Sequence, residues 1–341
     1  MSFQPDFVRI ETAAEIHLQV AMAGEGPLVV LVHGFPESWY SWRVQLADLA
    51  RAGFRAAALS IRGYDGSSRP YAIEAYSIVE LADDIAAVIN ALDPRGAVLV
   101  GHDWGAVQVQ AAALLHAPKV LGLVSISVPA ALHPSEKPSS LWARSYRDRL
   151  FYQSYFQQEG VAEAEFEADP ERFVRVFFRS LSGQGSLDDN VLFRPLDAPG
   201  LLDGLPDPAD LPTWLSREDV EFYADSFRRS GLRGPLNRYR CVDLDWELMN
   251  PVAGRMIEQP AIFIGGLSEP TRYMMPGRDR YDDPVPRMRD VRGVRLLEGV
   301  GHWVQQEAPA RTSHLLLDFL HGIGLGGSPA TADDVVGEAT R

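Results

Sequence analysis

The chain has 341 residues, of which 46% are hydrophobic and 23% are charged, so its composition is that of a globular protein with a sizeable core. Its length favours one large domain with an insertion over two independent domains. Lys and Arg total 32 and Asp and Glu total 46, which leaves a formal charge of −14. That charge repels phosphate backbones and anionic membrane surfaces, so we expect neither nucleic acid nor a membrane as a partner.

The cysteine content and the missing targeting signals indicate a compartment. Cys241 is the single cysteine, which rules out an intramolecular disulfide and a cysteine-based metal cluster. No basic N-terminal stretch leads into an apolar segment, and no run of about 18 apolar residues occurs. These features predict a soluble, cytoplasmic protein. They leave the oligomeric state open, with a homodimer as one candidate.

The first part of the chain alternates apolar runs with amphipathic segments. Alternating residues predict a hairpin of two strands, Phe7–Thr12 and Ile16–Ala21. Near-continuous apolar runs, typical of strands covered on both faces, follow at residues 28–32, 54–59, 97–100 and 120–128. Apolar residues at three- and four-residue steps predict helices at residues 40–52 and 77–92. This alternation predicts a mostly parallel sheet built from crossover units.

A helical segment then interrupts the pattern. Helices are predicted at residues 140–157, 169–180 and 217–230, with no long strand between them. Strand-like runs return at residues 261–264 and 294–297, and an amphipathic helix follows at residues 311–320. We therefore predict an α/β core formed by residues 1–133 and 246–323, a helical cap of residues 134–245 inserted after the sixth strand, and a flexible tail of residues 324–341.

The candidate nucleophile lies in the segment Gly101-His102-Asp103-Trp104-Gly105, between an apolar strand and the helix predicted at residues 106–116. Small residues around a polar one at a strand-to-helix turn are typical of a nucleophile elbow, because the tight backbone leaves no room for side chains. The elbow residue here is Asp103. From the turn alone, an aspartate that merely caps a helix is the alternative.

A second loop, His33-Gly34-Phe35-Pro36, follows the first core strand and is expected to face the elbow. The backbone N–H groups of Phe35 and Trp104 would then point at one oxygen and form an oxyanion hole. We interpret His33 and His102 as structural loop histidines, because neither is placed to be oriented by a distant acid.

The candidate base is His302, in the loop Gly299–Trp303 after the last core strand. Histidine is the side chain whose unperturbed pKa suits a general base near neutral pH. Glu269 follows the strand predicted at residues 261–264 and could orient that imidazole. The chain order of acidic nucleophile, carboxylate and histidine matches the order of an α/β-hydrolase.

These motifs resemble the epoxide hydrolases of the α/β-hydrolase fold over about residues 7 to 321. The matching segments are His33–Trp39, Arg62–Ser67, Gly101–Gly105, Tyr152–Gln157, Gly234–Tyr239 and Gly301–Trp303. The resemblance implies that Asp103 is the nucleophile, His302 the base, and Tyr152 and Tyr239 the lid tyrosines that hold the epoxide oxygen. The family's orienting acid is usually Asp, whereas the matching position here is Glu269, and a carboxylate elsewhere is the alternative.

The chemistry of the residues agrees with this resemblance. A carboxylate at the elbow is suited to displacement at saturated carbon, which yields an alkyl ester on the enzyme. Water activated by His302 would hydrolyse the ester and release a vicinal diol, with no metal or organic cofactor. Tyrosine hydroxyls can protonate the departing oxygen, although Tyr152 and Tyr239 could also be lid packing. Tyr146, Tyr155 and Tyr223 are interpreted as packing.

Three other functions compete with this hypothesis. A haloalkane or haloacid dehalogenase would share the aspartate elbow, and Trp104 could supply one halide donor. Phe35 stands where a second halide donor would be needed, and two lid tyrosines suit an alkoxide better. An esterase is disfavoured because the chain has no Gly-x-Ser-x-Gly sequence. A non-catalytic binding protein is disfavoured because Asp103, Glu269 and His302 are all present.

Overall fold

A mixed sheet runs through the computed structural model, which describes residues 4–185, 190–208 and 210–326. Within those residues eight strands form this sheet in the order β1-β2-β4-β3-β5-β6-β9-β10, and β7 and β8 form a separate pair. The strands are β1 (Asp6–Ala13), β2 (Ile16–Ala23), β3 (Leu28–Val32), β4 (Arg55–Ser60), β5 (Ala97–His102), β6 (Val120–Ile126), β7 (Arg149–Phe151), β8 (Phe193–Pro195), β9 (Ile257–Gly266) and β10 (Met288–Leu297).

The helices flank this sheet or lie in the segment between β6 and β9. They are α1 (Arg43–Arg51), α2 (Ile78–Leu92), α3 (Trp104–Leu115), α4 (Pro138–Ser145), α5 (Tyr152–Tyr155), α6 (Val161–Ala168), α7 (Pro170–Leu181), α8 (Arg217–Ser230), α9 (Arg233–Arg240), α10 (Val242–Leu248), α11 (Val304–Glu307) and α12 (Pro309–Gly322).

Both faces of the central strands of the sheet are buried, as the continuous apolar runs predicted. In β3, Val30 and Val32 belong to the apolar cluster on the face covered by α2 and α3. Val29 and Leu31 belong to the cluster on the opposite face, which α1 and α12 cover. The side chains of one strand therefore serve two cores, because successive residues point to opposite faces.

The predicted hairpin and parallel core are confirmed. Strand β1 pairs antiparallel with β2, and β2 pairs antiparallel with β4. The remaining neighbours, from β4 through β3, β5, β6 and β9 to β10, pair in parallel. The carboxyl ends of these parallel strands lie at one edge of the sheet, which is the ligand-binding edge of such folds.

The helix predicted at residues 140–157 is wrong. The chain forms α4, then the short strand β7, then the single turn α5. Strand β7 pairs antiparallel with β8, so Leu150 and Phe151 obtain backbone partners more than 40 residues away. Residues 169–180 and 217–230 are helical as predicted, in α7 and α8.

A smaller difference concerns the end of one strand. Strand β6 ends at Ile126, and Ser127 has a φ of 65°, which breaks the extended run predicted to residue 128. At the C-terminal end, Leu325 packs on the apolar cluster beneath α12. Residues 327–341 of the predicted tail lie outside the described residues.

Candidate active site

Asp103 occupies the sharp turn between β5 and α3. Its φ of 52° and ψ of −121° are unusual for a residue with a side chain, so its neighbours must hold it there. A Cβ at Gly105 would overlap the carbonyl of Val32, and one at Gly101 would overlap the carbonyl of Gly105. Only glycines allow this backbone to pass so close to β3, as the predicted elbow requires.

The loop after β3 meets the elbow. The Phe35 amide donates a hydrogen bond to Oδ1 of Asp103 at 2.9 Å. A Cβ at Gly34 would overlap the Asp103 side chain, so glycine lets the loop approach. Trp104 is the first residue of α3, where backbone amides have no acceptor within the helix. The structure thus places both predicted oxyanion-hole residues beside Asp103.

His302 lies between two carboxylates. Its Nε2 is 3.4 Å from Oδ2 of Asp103, and its Nδ1 is 2.7 Å from Oε2 of Glu269. Glu269 is completely buried, and its other oxygen accepts the Thr271 amide at 2.8 Å. The longer glutamate side chain therefore reaches the imidazole from the loop after β9, and the three predicted residues lie together.

The two charged partners outweigh burial at His302. Burial alone would lower the pKa of the imidazole, but the negative charges of Glu269 and Asp103 hold that pKa well above its usual value. Burial would likewise raise the pKa of Asp103, yet the hydrogen bond and charge of His302 bring it below its usual value. In the resting site the elbow carboxylate is therefore ionised and the imidazole carries a proton.

The backbone of His302 is fixed on both sides. Its amide donates to the carbonyl of Leu181 at 2.8 Å. Its carbonyl accepts from Nε2 of His102 at 2.8 Å and from Oγ of Ser127 at 2.7 Å. Ser127 makes its bond at a backbone φ of 65°. These bonds hold the imidazole in line with Asp103.

His102 corrects one interpretation from the sequence, because a distant acid does orient it. Its Nδ1 lies 2.7 Å from Oε2 of Glu37, and both side chains are fully buried. The other oxygen of Glu37 accepts the side-chain amides of Gln305 and Gln306 at 2.8 and 2.9 Å. His102 thus links a buried acid to the backbone of His302. His102 remains structural, but the reason given for that role was wrong.

His33 has the structural role that the sequence predicted. Burial lowers its pKa to about 4, so the ring is neutral. Its Nε2 accepts the Ile61 amide at 3.2 Å, and its Nδ1 donates to the Gly34 carbonyl at 2.8 Å. The ring therefore ties the loop after β3 to the end of β4.

Two acids that shape the site were not predicted from the sequence. Glu37 lies within the quoted segment 33–39, but nothing local shows that it is buried. Glu307, in α11, accepts the amides of Gly301 and Trp303 at 3.0 Å and of Gly183 at 2.8 Å. It therefore fixes the loop that carries His302. A carboxylate three to six residues after a glycine-rich loop is the local signal that could have indicated this role.

Tyr152 and Tyr239 face each other above the elbow, with ring centroids 5.9 Å apart. Burial, followed by the charge of Asp103, raises the pKa of both hydroxyls, so both keep their protons at neutral pH. Tyr152 accepts a hydrogen bond from Gln153 at 2.6 Å. Within the described residues, neither hydroxyl has an acceptor for its own proton.

The three tyrosines interpreted as packing differ in this respect. The hydroxyl of Tyr146 donates to the Met274 carbonyl at 2.6 Å, and that of Tyr155 donates to Glu165 at 2.9 Å. The hydroxyl of Tyr223 donates to the side chain of Gln306 at 3.1 Å. These three hydroxyls donate their protons to acceptors within the protein, whereas the protons of Tyr152 and Tyr239 are available to a ligand.

A cavity of about 600 Å³ opens from Asp103. Its wall comes from the elbow, the loop after β6, helices α4 and α5, and the loop between β9 and β10. The wall is mainly apolar, with Val107, Leu141, Trp142, Phe151 and Met274 among its residues. Such a volume accommodates a molecule of drug-like size.

Trp104 is held by a buried cation from the helical segment. The guanidinium of Arg238 lies 4.6 Å from the centroid of the indole, and burial lowers the pKa of Arg238 to about 10. Arg238 also donates to the Tyr76 carbonyl and pairs with Asp245, whose other oxygen accepts the Ile78 amide at 2.7 Å. Helices α9 and α10 are thereby fastened to the start of α2.

Two other kinds of feature are absent from the part of the chain that the structure describes. No group of three or more His, Cys, Asp or Glu side chains is arranged to hold a metal ion. No helix there is long and apolar enough to cross a membrane.

The fold and the elbow define a hydrolase of the α/β-hydrolase class, and comparison with known proteins agrees. A family model for the alpha/beta hydrolase fold matches residues 27–249. Epoxide hydrolase A of Mycobacterium tuberculosis is 42% identical over 316 residues, which cover 91% of this chain and 96% of that protein.

Solved structures give the same result. An epoxide hydrolase from an endophytic Streptomyces superposes with a TM-score of 0.86 at 40% identity, covering 94% of this chain and 95% of the other. Epoxide hydrolase A from Mycobacterium thermoresistibile gives a TM-score of 0.85 at 40% identity, with 94% and 100% covered. The chain belongs to the epoxide hydrolases. It is an enzyme that acts on small-molecule epoxides with water, and these relatives do not favour the dehalogenase alternative.

Proposed function

We propose that Asp103 attacks the epoxide, that His302 oriented by Glu269 activates water, and that Tyr152 and Tyr239 donate to the epoxide oxygen. The amides of Phe35 and Trp104 form the oxyanion hole. This assignment rests on the different contacts that the two oxygens of the Asp103 carboxylate make. Phe35 binds Oδ1 and His302 lies beside Oδ2, so the two oxygens have different environments.

In the first half-reaction, Oδ2 of Asp103 bonds to a ring carbon while that carbon's bond to the epoxide oxygen breaks. The oxygen takes a proton from one lid tyrosine and a hydrogen bond from the other. The raised pKa values of Tyr152 and Tyr239 ensure that both are protonated before the reaction. The apolar wall of the cavity favours the substrate's hydrocarbon part.

In the second half-reaction, water gives a proton to His302 and bonds to Cγ of the Asp103 ester. Oδ1 becomes the oxyanion in front of the Phe35 and Trp104 amides. Ester formation has removed the charge of Asp103, which is one of the charges that raise the pKa of His302. The imidazole can then pass its proton to the deprotonated lid tyrosine, which restores that phenol, and act as a base. The tetrahedral intermediate collapses by breaking its Cγ–Oδ2 bond, and the departing oxygen takes a proton from His302 to complete the diol. The new carboxylic acid of Asp103 returns a proton to the imidazole, which restores the ionised carboxylate.

The helical segment of residues 134–245 is proposed to form a cap over the core of residues 1–133 and 246–323. It supplies Tyr152 and Tyr239, while the core supplies Asp103, Glu269 and His302. A cytoplasmic location and a homodimeric assembly are also proposed. Size-exclusion chromatography with light scattering tests the assembly, and fractionation of the native cell tests the location.

The decisive experiment traps the ester. The His302→Ala variant should open one epoxide per chain and stop, since no base activates water for the second step. Mass spectrometry after exposure to styrene oxide should show one substrate mass added to the peptide that contains Asp103. The matched control is His314→Ala, because His314 is exposed on α12 with 74% of its side chain accessible. That variant should turn over normally. An unmodified Asp103 peptide in His302→Ala would overturn the assignment.

A further inference from the structure

Arg238 brings a positive charge into the protein interior beside one of the lid tyrosines. Only 5% of its side chain is exposed, and it directly precedes Tyr239 in helix α9. Its guanidinium lies over the Trp104 indole, 4.6 Å from the ring centroid. The Tyr239 ring lies perpendicular to the same indole, with centroids 5.2 Å apart. The cation and the lid phenol therefore share one neighbour, the indole of Trp104.

The contacts of Arg238 leave part of its charge without a partner. The guanidinium donates to the Tyr76 carbonyl and pairs with Asp245. Within the described residues, its Nε is buried and has no hydrogen-bond partner. Asp245 is the more exposed member of the ion pair, with 13% of its side chain accessible, so water screens its charge more strongly. Because a buried charge costs free energy unless it is fully compensated, a cation kept at this position calls for a reason beyond packing.

Ring opening in the proposed mechanism moves one negative charge toward this cation. Asp103 loses its charge when Oδ2 bonds to the ring carbon of the epoxide. The electron pair of the broken carbon–oxygen bond stays on the epoxide oxygen, which takes a proton from a tyrosine hydroxyl. The electron pair of that O–H bond stays on the tyrosine as a phenolate. When Tyr239 is the donor, the phenolate forms on the residue next to Arg238 in the chain.

The electrostatics of the two residues agree with this placement. Burial lowers the pKa of Arg238, and the negative charges that Cys241 and Tyr239 carry when ionised oppose the fall. The same attraction acts in the other direction, so the cation favours the Tyr239 phenolate. Burial raises the pKa of Tyr239, and a hydrogen bond from the Trp104 side chain opposes that rise. A cation over the indole polarises this donor and strengthens its bond to a phenolate.

We propose that Arg238 is a positioning residue for ring opening, and that its charge, acting directly and through Trp104, stabilises the Tyr239 phenolate left when Tyr239 protonates the epoxide oxygen. This inference rests on the proposed function, because it takes Tyr239 as the acid of the first half-reaction. The phenolate lasts until His302 returns a proton to it. Arg238 therefore affects the formation of the ester and not the attack of water on it.

The test measures ester formation from styrene oxide in single turnovers. Arg238→Gln should slow this step by roughly tenfold or more, since it removes a charge that acts in a poorly solvated site. Hydrolysis of the ester should change less. Arg238→Lys keeps the charge and should recover most of the rate. In the Tyr239→Phe background no phenolate forms at this position, so the added Arg238→Gln should slow ester formation by less than about twofold.

Asp245→Asn separates the effect of the charge from that of the ion pair. It breaks the same ion pair as Arg238→Gln but keeps the cation, so ester formation should be at least as fast as in the wild type. If the ion pair served only to fasten the helices, both variants would slow the reaction alike. The double variant Arg238→Gln/Asp245→Asn leaves no unpaired buried charge, so it applies the same test if Arg238→Gln alone does not fold. It should form the ester roughly tenfold more slowly than the wild type.

The matched control is Arg233→Gln on the same helix, where Arg233 pairs with Glu159 and lies 3.6 Å from the centroid of the Tyr71 ring. It should form the ester at the wild-type rate. Equal slowing by Arg238→Gln with and without the Tyr239 hydroxyl would overturn the inference, as would slower ester formation in Asp245→Asn or an unchanged rate in Arg238→Gln. Each of these results would leave the proposed function intact. A wild-type enzyme that forms no ester on Asp103 would instead refute the proposed function.

Discussion

His302 Nε2 lies 3.4 Å from Oδ2 of Asp103, and the charge of that carboxylate adds to the charge of Glu269 in raising the pKa of the imidazole. With Asp103 ionised, the pKa of His302 is raised and the ring is protonated. With Asp103 esterified, only the Glu269 charge remains beside the ring, and the pKa falls. In the proposed mechanism, His302 is therefore a protonated partner of Asp103 before the first step and a base after it.

This relationship predicts different pH profiles for the two half-reactions. The pKa of Asp103 is lowered, so ester formation should be independent of pH from mildly acidic to neutral conditions. Ester hydrolysis requires neutral His302, so its rate should fall as the pH drops through the pKa of the ester form. That pKa should lie below the pKa of His302 in the free enzyme. Stopped-flow tryptophan fluorescence resolves both rates, and identical profiles would contradict the charge argument.

Removing the lid hydroxyls should slow ring opening. Each of Tyr152→Phe and Tyr239→Phe leaves one donor, so each should reduce the rate of ester formation by about tenfold. The double variant should lose roughly 10²- to 10³-fold or more, as expected for a transition-state donor. The rate of ester hydrolysis should change less. Single-turnover kinetics separate the two steps.

The matched control for this pair is Tyr155→Phe. Its hydroxyl donates a hydrogen bond to Glu165, so its proton is not available to a ligand in the cavity. Ester formation in Tyr155→Phe should proceed at the wild-type rate. A double lid variant that forms ester as fast as wild type would show that Tyr152 and Tyr239 only pack.

Glu269→Gln should slow hydrolysis of the ester far more than its formation. The amide keeps the shape but removes the charge that stabilises imidazolium at 2.7 Å from Nδ1 of His302. The ester should therefore accumulate, and pre-steady-state traces should show a fast phase followed by slow turnover. Glu269→Asp retains the charge on a shorter side chain and should recover part of the rate. Wild-type turnover in Glu269→Gln would mean that another acid orients His302.

There is a physical reason why the sequence predicted the sheet and the meeting of three candidate site residues at its edge. Runs such as residues 28–32 are apolar at every position, which happens when helices cover both faces of a strand. Parallel strands then bring their carboxyl ends to one edge, so Asp103, Glu269 and His302 could be expected to meet although they are distant in the chain.

Other features depend on partners that local patterns do not show. The pattern of residues 140–157 predicted a helix. Pairing with β8 overrides this local preference, and residues 149–151 form strand β7. Glu37 and His102 form a buried pair 65 positions apart, and an acidic residue looks the same in a sequence whether it is buried or exposed. Such contacts follow from tertiary packing, so the structure was needed to find them.

Replacing Gly105 at the elbow should change both the stability of the protein and the position of Asp103. In Gly105→Ala the new Cβ would overlap the Val32 carbonyl at the end of the central strand β3. Neither backbone segment can yield easily, so the free energy of unfolding should fall by about 1–3 kcal/mol or more. The displaced elbow should also weaken the contact between Asp103 and the Phe35 amide, and ester formation should slow in the molecules that remain folded. Urea denaturation and single-turnover kinetics measure the two effects. The matched control is Gly254→Ala, in an exposed turn where an added Cβ meets no atom within 4 Å. If Gly105→Ala were as stable and as fast as Gly254→Ala, the close approach of the elbow to β3 would not be needed to hold the nucleophile.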